Sequence, residues 1–203
     1  MDERAAMWDE RYAGTEHLWS TEPNVFVADI LRSWPAGRAL DLGAGEGRNS
    51  IWLARRGWGV TAVDFSAVGT ARGRAALTAM TDAGEPVDGS VDWVVADATA
   101  WEPPAGTAYD LVLLVYLHLP EDVLARASRW LAPGGALVVV GHALRNLTEG
   151  VGGPQDPAIL NTPEGLEAAA HAGGLTVERC EEVERDTEAG TAIDAVLVAR
   201  RPG

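Results

Sequence analysis

Cysteine is all but missing from this chain: among 203 residues only Cys180 is present. It can form no internal disulfide, which fits a reducing compartment and makes the cytoplasm the expected location. Within a late strand it reads as a packing residue. No run of 18 apolar residues occurs, so no helical membrane span is expected. The opening Met1-Asp2-Glu3-Arg4 is charged and lacks the apolar stretch of a signal peptide. Basic residues are scarce: 16 Lys and Arg stand against 30 Asp and Glu, a formal net charge of −14. Gripping phosphates takes clustered cations. The small groups Arg72/Arg74 and Arg200/Arg201 read as solvated faces, so neither nucleic acid nor an anionic membrane is an expected partner. The acidic surface favours a soluble monomer. His and carboxylates never fall at metal-ligand spacing, so no metal is expected. Phenylalanine occurs twice beside eight tryptophans.

What is present is a glycine-rich turn in a telling setting. Ala39-Leu40-Asp41-Leu42 is a short apolar run that feeds Gly43-Ala44-Gly45-Glu46-Gly47-Arg48, and a helix-like segment follows from Asn49. A second apolar run, Gly59 to Val63, ends in Asp64. Glycine lets backbone pass close beneath a ligand, and an acid at the tip of the next strand can accept both hydroxyls of a ribose. A nucleoside-containing cofactor over the first two strands is the reading. Its kind follows from spacing. A dinucleotide fingerprint needs a third glycine where this chain has Arg48, and uses the helix N-terminus for a pyrophosphate. Asp41 and Glu46 would repel that group and suit a cationic ligand.

Around this turn the chain alternates. Apolar runs at 38–42, 59–64, 91–96, 109–115 and 135–141 read as buried parallel strands. Helical segments at 47–57, 67–81 and 121–131 lie between them, with a turn region near 98–103. Two late strands, 175–184 and 191–200, suit an antiparallel hairpin broken at Asp186 to Gly190. A helix at 163–172 carries Thr162 as N-cap. Upstream, Trp8 and Tyr12 are spaced i,i+4 on one helix face, and Ala13-Gly14-Thr15 ends that helix. A second helix is expected to start near Thr21-Glu22-Pro23, with Thr21 as N-cap, and to end before Pro35. The expected fold is an α/β, doubly wound, Rossmann-like sheet of seven strands, mostly parallel with an antiparallel C-terminal hairpin. By length it is one domain over 1–203, an N-terminal helical lid (1–34) and a core (35–203). The long stretch Arg145 to Thr162 reads as a functional loop, with Gly150 to Gly153 as its hinges.

Asp41, the G-x-G-x-G turn and Asp64 in register resemble the class I S-adenosylmethionine-dependent methyltransferases. That resemblance implies a methyltransferase using S-adenosyl-L-methionine, bound by Asp41, Gly43, Gly45, Gly47 and Asp64. It implies that Asp97, at the end of the third strand, accepts the adenine amino group, that the Ala98 amide meets the ring, and that Phe65 packs on it. It places the reacting methyl group by the end of the fourth strand, at Val115, where Tyr116-Leu117-His118 begins a substrate pocket. The amino-terminal pattern Trp8-Asp9-Glu10-Arg11-Tyr12, Leu18-Trp19 and Glu22-Pro23-Asn24 resembles the branch with the tellurite-resistance and thiopurine methyltransferases. There an N-terminal segment folds over the cofactor. Tyr12 and Trp19 would then close the methionine side, and Arg48 would neutralise the methionine carboxylate or cap the site.

Methyl transfer from a sulfonium is an in-line displacement, and holding the partners in a near-attack pose supplies up to roughly 7–11 kcal/mol. A soft acceptor needs no base. A hydroxyl or amine does, and His118, His142 and Tyr116 are the residues placed for it. Against the familiar nucleic-acid methylases, the chain has no Asp-Pro-Pro-Tyr and no Pro-Cys nucleophile. A small-molecule acceptor is expected. The alternatives are a cofactor-binding protein without chemistry and, with Arg48 against it, a nicotinamide-dependent oxidoreductase.

Overall fold

The computed structural model describes residues 3–14, 22–117 and 121–203. Its contacts group into two units, Met1–Pro104 and Ala105–Gly203. The seven strands read in the order β3-β2-β1-β4-β5-β7-β6, the mixed sheet expected of a Rossmann-like methyltransferase fold.

In the first unit, helices α1 (Glu3–Ala13) and α2 (Val25–Leu31) precede β1 (Arg38–Leu42), α3 (Arg48–Ala54), β2 (Gly59–Asp64), α4 (Ala67–Asp82) and β3 (Ser90–Val95). The three strands pair in parallel, Leu40 opposite Thr61 and Thr61 opposite Asp92. Parallel strands are covered on both faces, and Ala39 through Leu42 are accordingly all buried. Two expectations need correction here. Helix α2 is capped by Asn24, not from the Thr21 region: the Asn24 Oδ1 accepts from the amides of Phe26 (3.0 Å) and Val27 (3.2 Å). An asparagine directly before the helix satisfies two orphan amides at once, and Pro23 is left ahead of the cap. Helix α3 is shorter than 47–57, because the chain must reverse through Arg55–Gly57 to enter β2, and Gly57 takes φ 88° to do so.

The second unit holds β4 (Tyr109–Val115), α5 (Glu121–Ala127), β5 (Leu131–His142), the short α6 (Asn146–Glu149), α7 (Pro163–Ala172), β6 (Thr176–Thr187) and β7 (Gly190–Arg200). Strands β4 and β5 run parallel, while β5–β7 and β6–β7 are antiparallel. Helix α5 stops at Ala127 and a 3₁₀ turn, Ser128–Trp130, replaces the last turn expected to 131. Strand β5 begins at Leu131 rather than 135. Leu131 pairs with Tyr109, and the register then slips so that Ala136 pairs with Leu111. The slip takes up Ala132–Gly135, with Gly134 at φ 78°. Helix α7 keeps its expected bounds, the Thr162 Oγ1 accepting from the Gly165 amide at 3.1 Å. The hairpin is tighter than expected: Thr187 pairs with Gly190, leaving a two-residue turn. Among the described residues no helix is long and apolar enough to cross a membrane.

Candidate cofactor site and a buried carboxylate network

The turn after β1 is built from three glycines in left-handed conformation: Gly43 (φ 72°), Gly45 (φ 58°) and Gly47 (φ 74°). Side chains rarely tolerate that region. The amides of Gly43 and Ala44 both donate to the Val63 carbonyl, at 2.8 and 3.1 Å. The Gly45 amide donates to Asp64 Oδ2 at 2.8 Å, and the Ser66 amide to Asp64 Oδ1 at 2.8 Å. Asp64 therefore ties the glycine turn to the end of β2. Burial raises its pKa, the two amides oppose that shift, and Asp9 adds to it. A carboxylate has about four acceptor positions, so each oxygen keeps capacity for a ribose hydroxyl. Asp41 lies beneath, 1% exposed, with the Ser50 hydroxyl donating to Oδ2 at 2.6 Å. Burial pushes its pKa up to about 6; the Ser50 hydrogen bond opposes this, Asp64 adds to it, and Arg48 pulls it down.

Two aromatic rings explain why those positions must be glycine. A Cβ on Gly47 would run into the Trp93 indole of β3, and so would one on Gly73 of α4. A Cβ on Gly45 would run into the Tyr12 hydroxyl, and one on Gly69 would lie 3.0 Å from the Tyr12 ring. Tyr12 is buried, beside Trp8 at 5.9 Å between ring centroids. Asp9 of the same helix accepts at Oδ1 from the Ser66 hydroxyl and from the Val68 amide at 3.2 Å. Helix α1 thus seats on the glycine turn and on the start of α4.

The remaining expected cofactor residues are spread as follows. Asp97 follows β3 rather than ending it, because the strand stops at Val95; its Oδ1 accepts from the Thr99 amide (2.8 Å) and hydroxyl (2.7 Å). Ala98 is buried and Phe65 half-buried. Arg48 opens α3. Val115 closes β4 in the second unit and is buried. Trp19 and His118 lie outside the described residues.

In the second unit a different cluster forms. Tyr116, just past β4, is the one non-glycine residue with positive φ (53°) among those described. Its hydroxyl donates to Asp194 Oδ2 at 2.8 Å, and Arg185 Nε donates to the same oxygen at 2.7 Å. His142, at the end of β5, has Nδ1 3.3 Å from Asp194 Oδ1. The Tyr116 and His142 rings stack at 4.6 Å and 29°. Asp194 of β7 is fully buried. Burial would raise its pKa, but His142, Arg185 and Tyr116 together hold it below the usual carboxylate value.

The segment 39–135 matches the methyltransferase domain family. Residues 39–135 are a methyltransferase domain of the class I S-adenosylmethionine-dependent kind. The chain is 31% identical over 121 residues to ribosomal RNA small subunit methyltransferase C of Alcanivorax borkumensis, covering 52% of this chain and 32% of that protein. It is 28% identical over 154 residues to glycine N-methyltransferase of Rattus norvegicus, covering 68% and 50%. It therefore spans about half or less of the length of these curated relatives. Among solved structures, TehB from Haemophilus influenzae superposes with a TM-score of 0.70 at 19% identity, over 95% of this chain and 67% of that one. The N-methyltransferase NodS from Bradyrhizobium japonicum, in complex with S-adenosyl-L-homocysteine, gives 0.68 at 16% identity, over 99% and 100%. Both likenesses are of the fold.

The glycine turn and paired carboxylates fit S-adenosylmethionine: a left-handed cradle that side chains rarely tolerate, with the buried carboxylates Asp41 and Asp64 suited to a cationic ligand. Sequence reasoning missed Trp93, Asp194 and Arg185. Asp194 did carry a signal, a lone carboxylate inside the apolar run Ala192 to Ala199. Trp93 carried none, since its partners Gly47 and Gly73 are far away in the chain.

Proposed function

We propose that this methyltransferase transfers the methyl group of S-adenosylmethionine to a small-molecule acceptor. The observation that carries the reading is Asp64, whose two oxygens each hold one backbone amide, of Gly45 and of Ser66, at 2.8 Å while retaining room for a ribose. Asp64 would hold the ribose hydroxyls. Asp97 and Ala98 would meet the adenine beside Phe65. Gly43, Gly45 and Gly47 would line the path of the methionine portion, with Asp41 answering its ammonium and Arg48 its carboxylate. When bound, S-adenosylmethionine supplies a methyl group on a positively charged sulfur with a ready leaving group. Tyr12, and by extension Trp19, would exclude water from that side. Tyr116, His142 and His118 are the residues we assign to the acceptor.

A small molecule is supported by composition. A net charge of −14 opposes docking on a polyanion, although one relative's name contains ribosomal RNA. Glycine N-methyltransferase is named for a small acceptor. The deciding experiment is calorimetry with S-adenosylmethionine and S-adenosylhomocysteine, then product detection over a panel of thiols, phenols, amines and metalloid oxyanions. Binding of both nucleosides with methylated product from one class establishes the reading. Binding without product on any class would leave a cofactor-binding protein. Binding of a nicotinamide dinucleotide in their place would overturn it.

A further inference from the structure

Helix α4 carries two glycines four residues apart, Gly69 and Gly73, within its 16 residues. Glycine in a helix interior weakens the helix, and residues spaced i,i+4 share one face. The bare face receives the glycine turn. A Cβ on Gly69 would lie 3.3 Å from the Gly45 carbonyl carbon, and one on Gly73 would lie 2.5 Å from the Glu46 carbonyl oxygen. Beside this contact Arg72 Nη1 pairs with Glu46 Oε1 at 3.2 Å. The Trp93 indole meets both partners at once: its Cζ3 would lie 2.6 Å from a Cβ on Gly47 and 2.7 Å from one on Gly73. Trp93 is half-buried and comes from β3, the strand at the edge of the sheet. Gly47 is where the turn becomes α3. Its amide donates to the Ala44 carbonyl at 2.8 Å, and its carbonyl accepts from the Ile51 amide at 2.8 Å. It caps the helix at φ 74° without a side chain, and glycine takes either sign of φ with similar ease. Packing from outside therefore has a shape to hold. Two residues earlier, the Gly45 amide reaches Asp64.

We infer that Trp93 is a positioning residue of the cofactor site: its indole wedges between Gly47 and Gly73 and holds the glycine turn in the shape that binds S-adenosylmethionine. Affinity then depends on a side chain that acts through the turn. The inference rests on the cofactor reading of this turn and extends it to the edge strand. Removing the indole leaves a gap between the turn and α4, and surrounding groups relax only partly into such a gap. The turn then samples shapes besides the left-handed one. A ligand that needs one shape binds with its affinity reduced by the fraction of molecules in that shape. The effect falls on cofactor capture and on local opening of the turn, not on the sheet as a whole. Trp93 and every group named with it lie within Met1–Pro104.

The test needs no turnover. Calorimetry with S-adenosylhomocysteine, at a temperature where melting curves show wild type and variant folded, should give Trp93→Leu a Kd roughly fivefold or more above wild type. A turn competent in about one molecule in five produces that factor. Trp93→Phe, which keeps a ring, should fall between the two. Amide exchange followed by NMR without ligand should quicken by a similar factor at Gly45 and Gly47 in Trp93→Leu, while the amides of Val60 to Val63 in β2 keep their wild-type rates. A side chain that only stabilised the fold would speed both sets together and leave the affinity of folded protein unchanged. Either of those results overturns the proposal. If Trp93→Leu does not fold, Trp93→Phe decides by the same two readouts: wild-type affinity with wild-type exchange at Gly45 and Gly47 overturns it. Unchanged affinity in the variants would remove this inference and leave the cofactor reading standing. Failure of wild type to bind either S-adenosylhomocysteine or S-adenosylmethionine would remove both.

Discussion

Asp64 and Asp41 lie under the same glycine turn, yet one is placed to hold a ligand and the other is a buried charge bonded to Ser50. Replacing Asp64 by alanine removes the acceptor for the Gly45 and Ser66 amides and, on the proposed function, for two ribose hydroxyls. Charge-assisted hydrogen bonds contribute roughly 1.5–3 kcal/mol each, so calorimetry on folded Asp64→Ala should show at least a tenfold loss of S-adenosylhomocysteine affinity. Undiminished affinity would remove Asp64 from the site. Asp41 makes a prediction about pH. Its folded pKa of about 6 lies above the ordinary 3.8, so the native state holds this proton more tightly than the unfolded chain. The resulting stability is full below the ordinary value and is lost as pH rises through about 6. Each tenfold gain in proton affinity is worth about 1.4 kcal/mol, so the loss amounts to about 3 kcal/mol. Asp41→Asn should abolish it. Denaturant titrations at pH 4, 5 and 7 should show wild type losing stability relative to the variant; parallel curves would refute the burial argument.

Helices and strands carry their own tests. Helix α4 approaches β3 closely because Gly73 has no side chain where the Trp93 indole lies. Gly73→Ala should destabilise the protein by about 1–3 kcal/mol through overpacking, and Trp93→Leu in the same chain should recover part of that loss. Additive effects of the two changes would deny the contact. Helix α1, seated through Tyr12 and Asp9, should exchange its amide hydrogens more slowly when S-adenosylhomocysteine is added. Equal exchange with and without it would count against the helix as a cover. At this scale much was legible. Helix α7 was readable to the residue because Thr162 and Gly173 punctuate it locally, and β1 and β2 because parallel strands write themselves as apolar runs. Boundaries failed where the deciding partner is remote. Tyr109 opposite Leu131 extends β5 four residues upstream of the apolar run, and no local signal marks that pairing. The glycine turn after β1, with its left-handed Gly43, Gly45 and Gly47, was legible as a turn that only glycine could build. The reason for Gly47, an indole from β3, was not, and neither was the Tyr116–His142–Asp194–Arg185 network, whose members come from four separate stretches of chain.

For the whole molecule the governing quantity is charge. With −14 distributed over 203 residues, a cationic ligand is drawn in and an anionic one repelled. S-adenosylmethionine carries one net positive charge at neutral pH, while its demethylated product carries none. Stopped-flow association of the substrate should therefore slow several-fold as salt rises from about 0.03 to 0.3 M, where the screening length shrinks to roughly 5 Å. Association of the product should change far less. Equal salt sensitivity of the two would show that the overall field plays no part in capture.

Asn146 divides the long loop after β5 into two parts of different character. It is buried, accepts from the Ile193 amide at 2.7 Å and donates to the Gly152 carbonyl at 2.9 Å. The Val151 amide adds a bond to the Thr191 carbonyl at 3.1 Å. Gly150 to Gly153, expected from sequence to be a hinge, is instead stapled to β7. Beyond the staple, Gln155 to Ile159 is exposed before the chain is gathered in again where the Asn161 amide donates to the His142 carbonyl at 2.9 Å. An anchored stem on each side of an exposed stretch is the layout of an interchangeable cartridge. Libraries confined to 155–158 can vary at exposed positions between the two anchors, so the scaffold offers a natural place for retargeting by loop exchange.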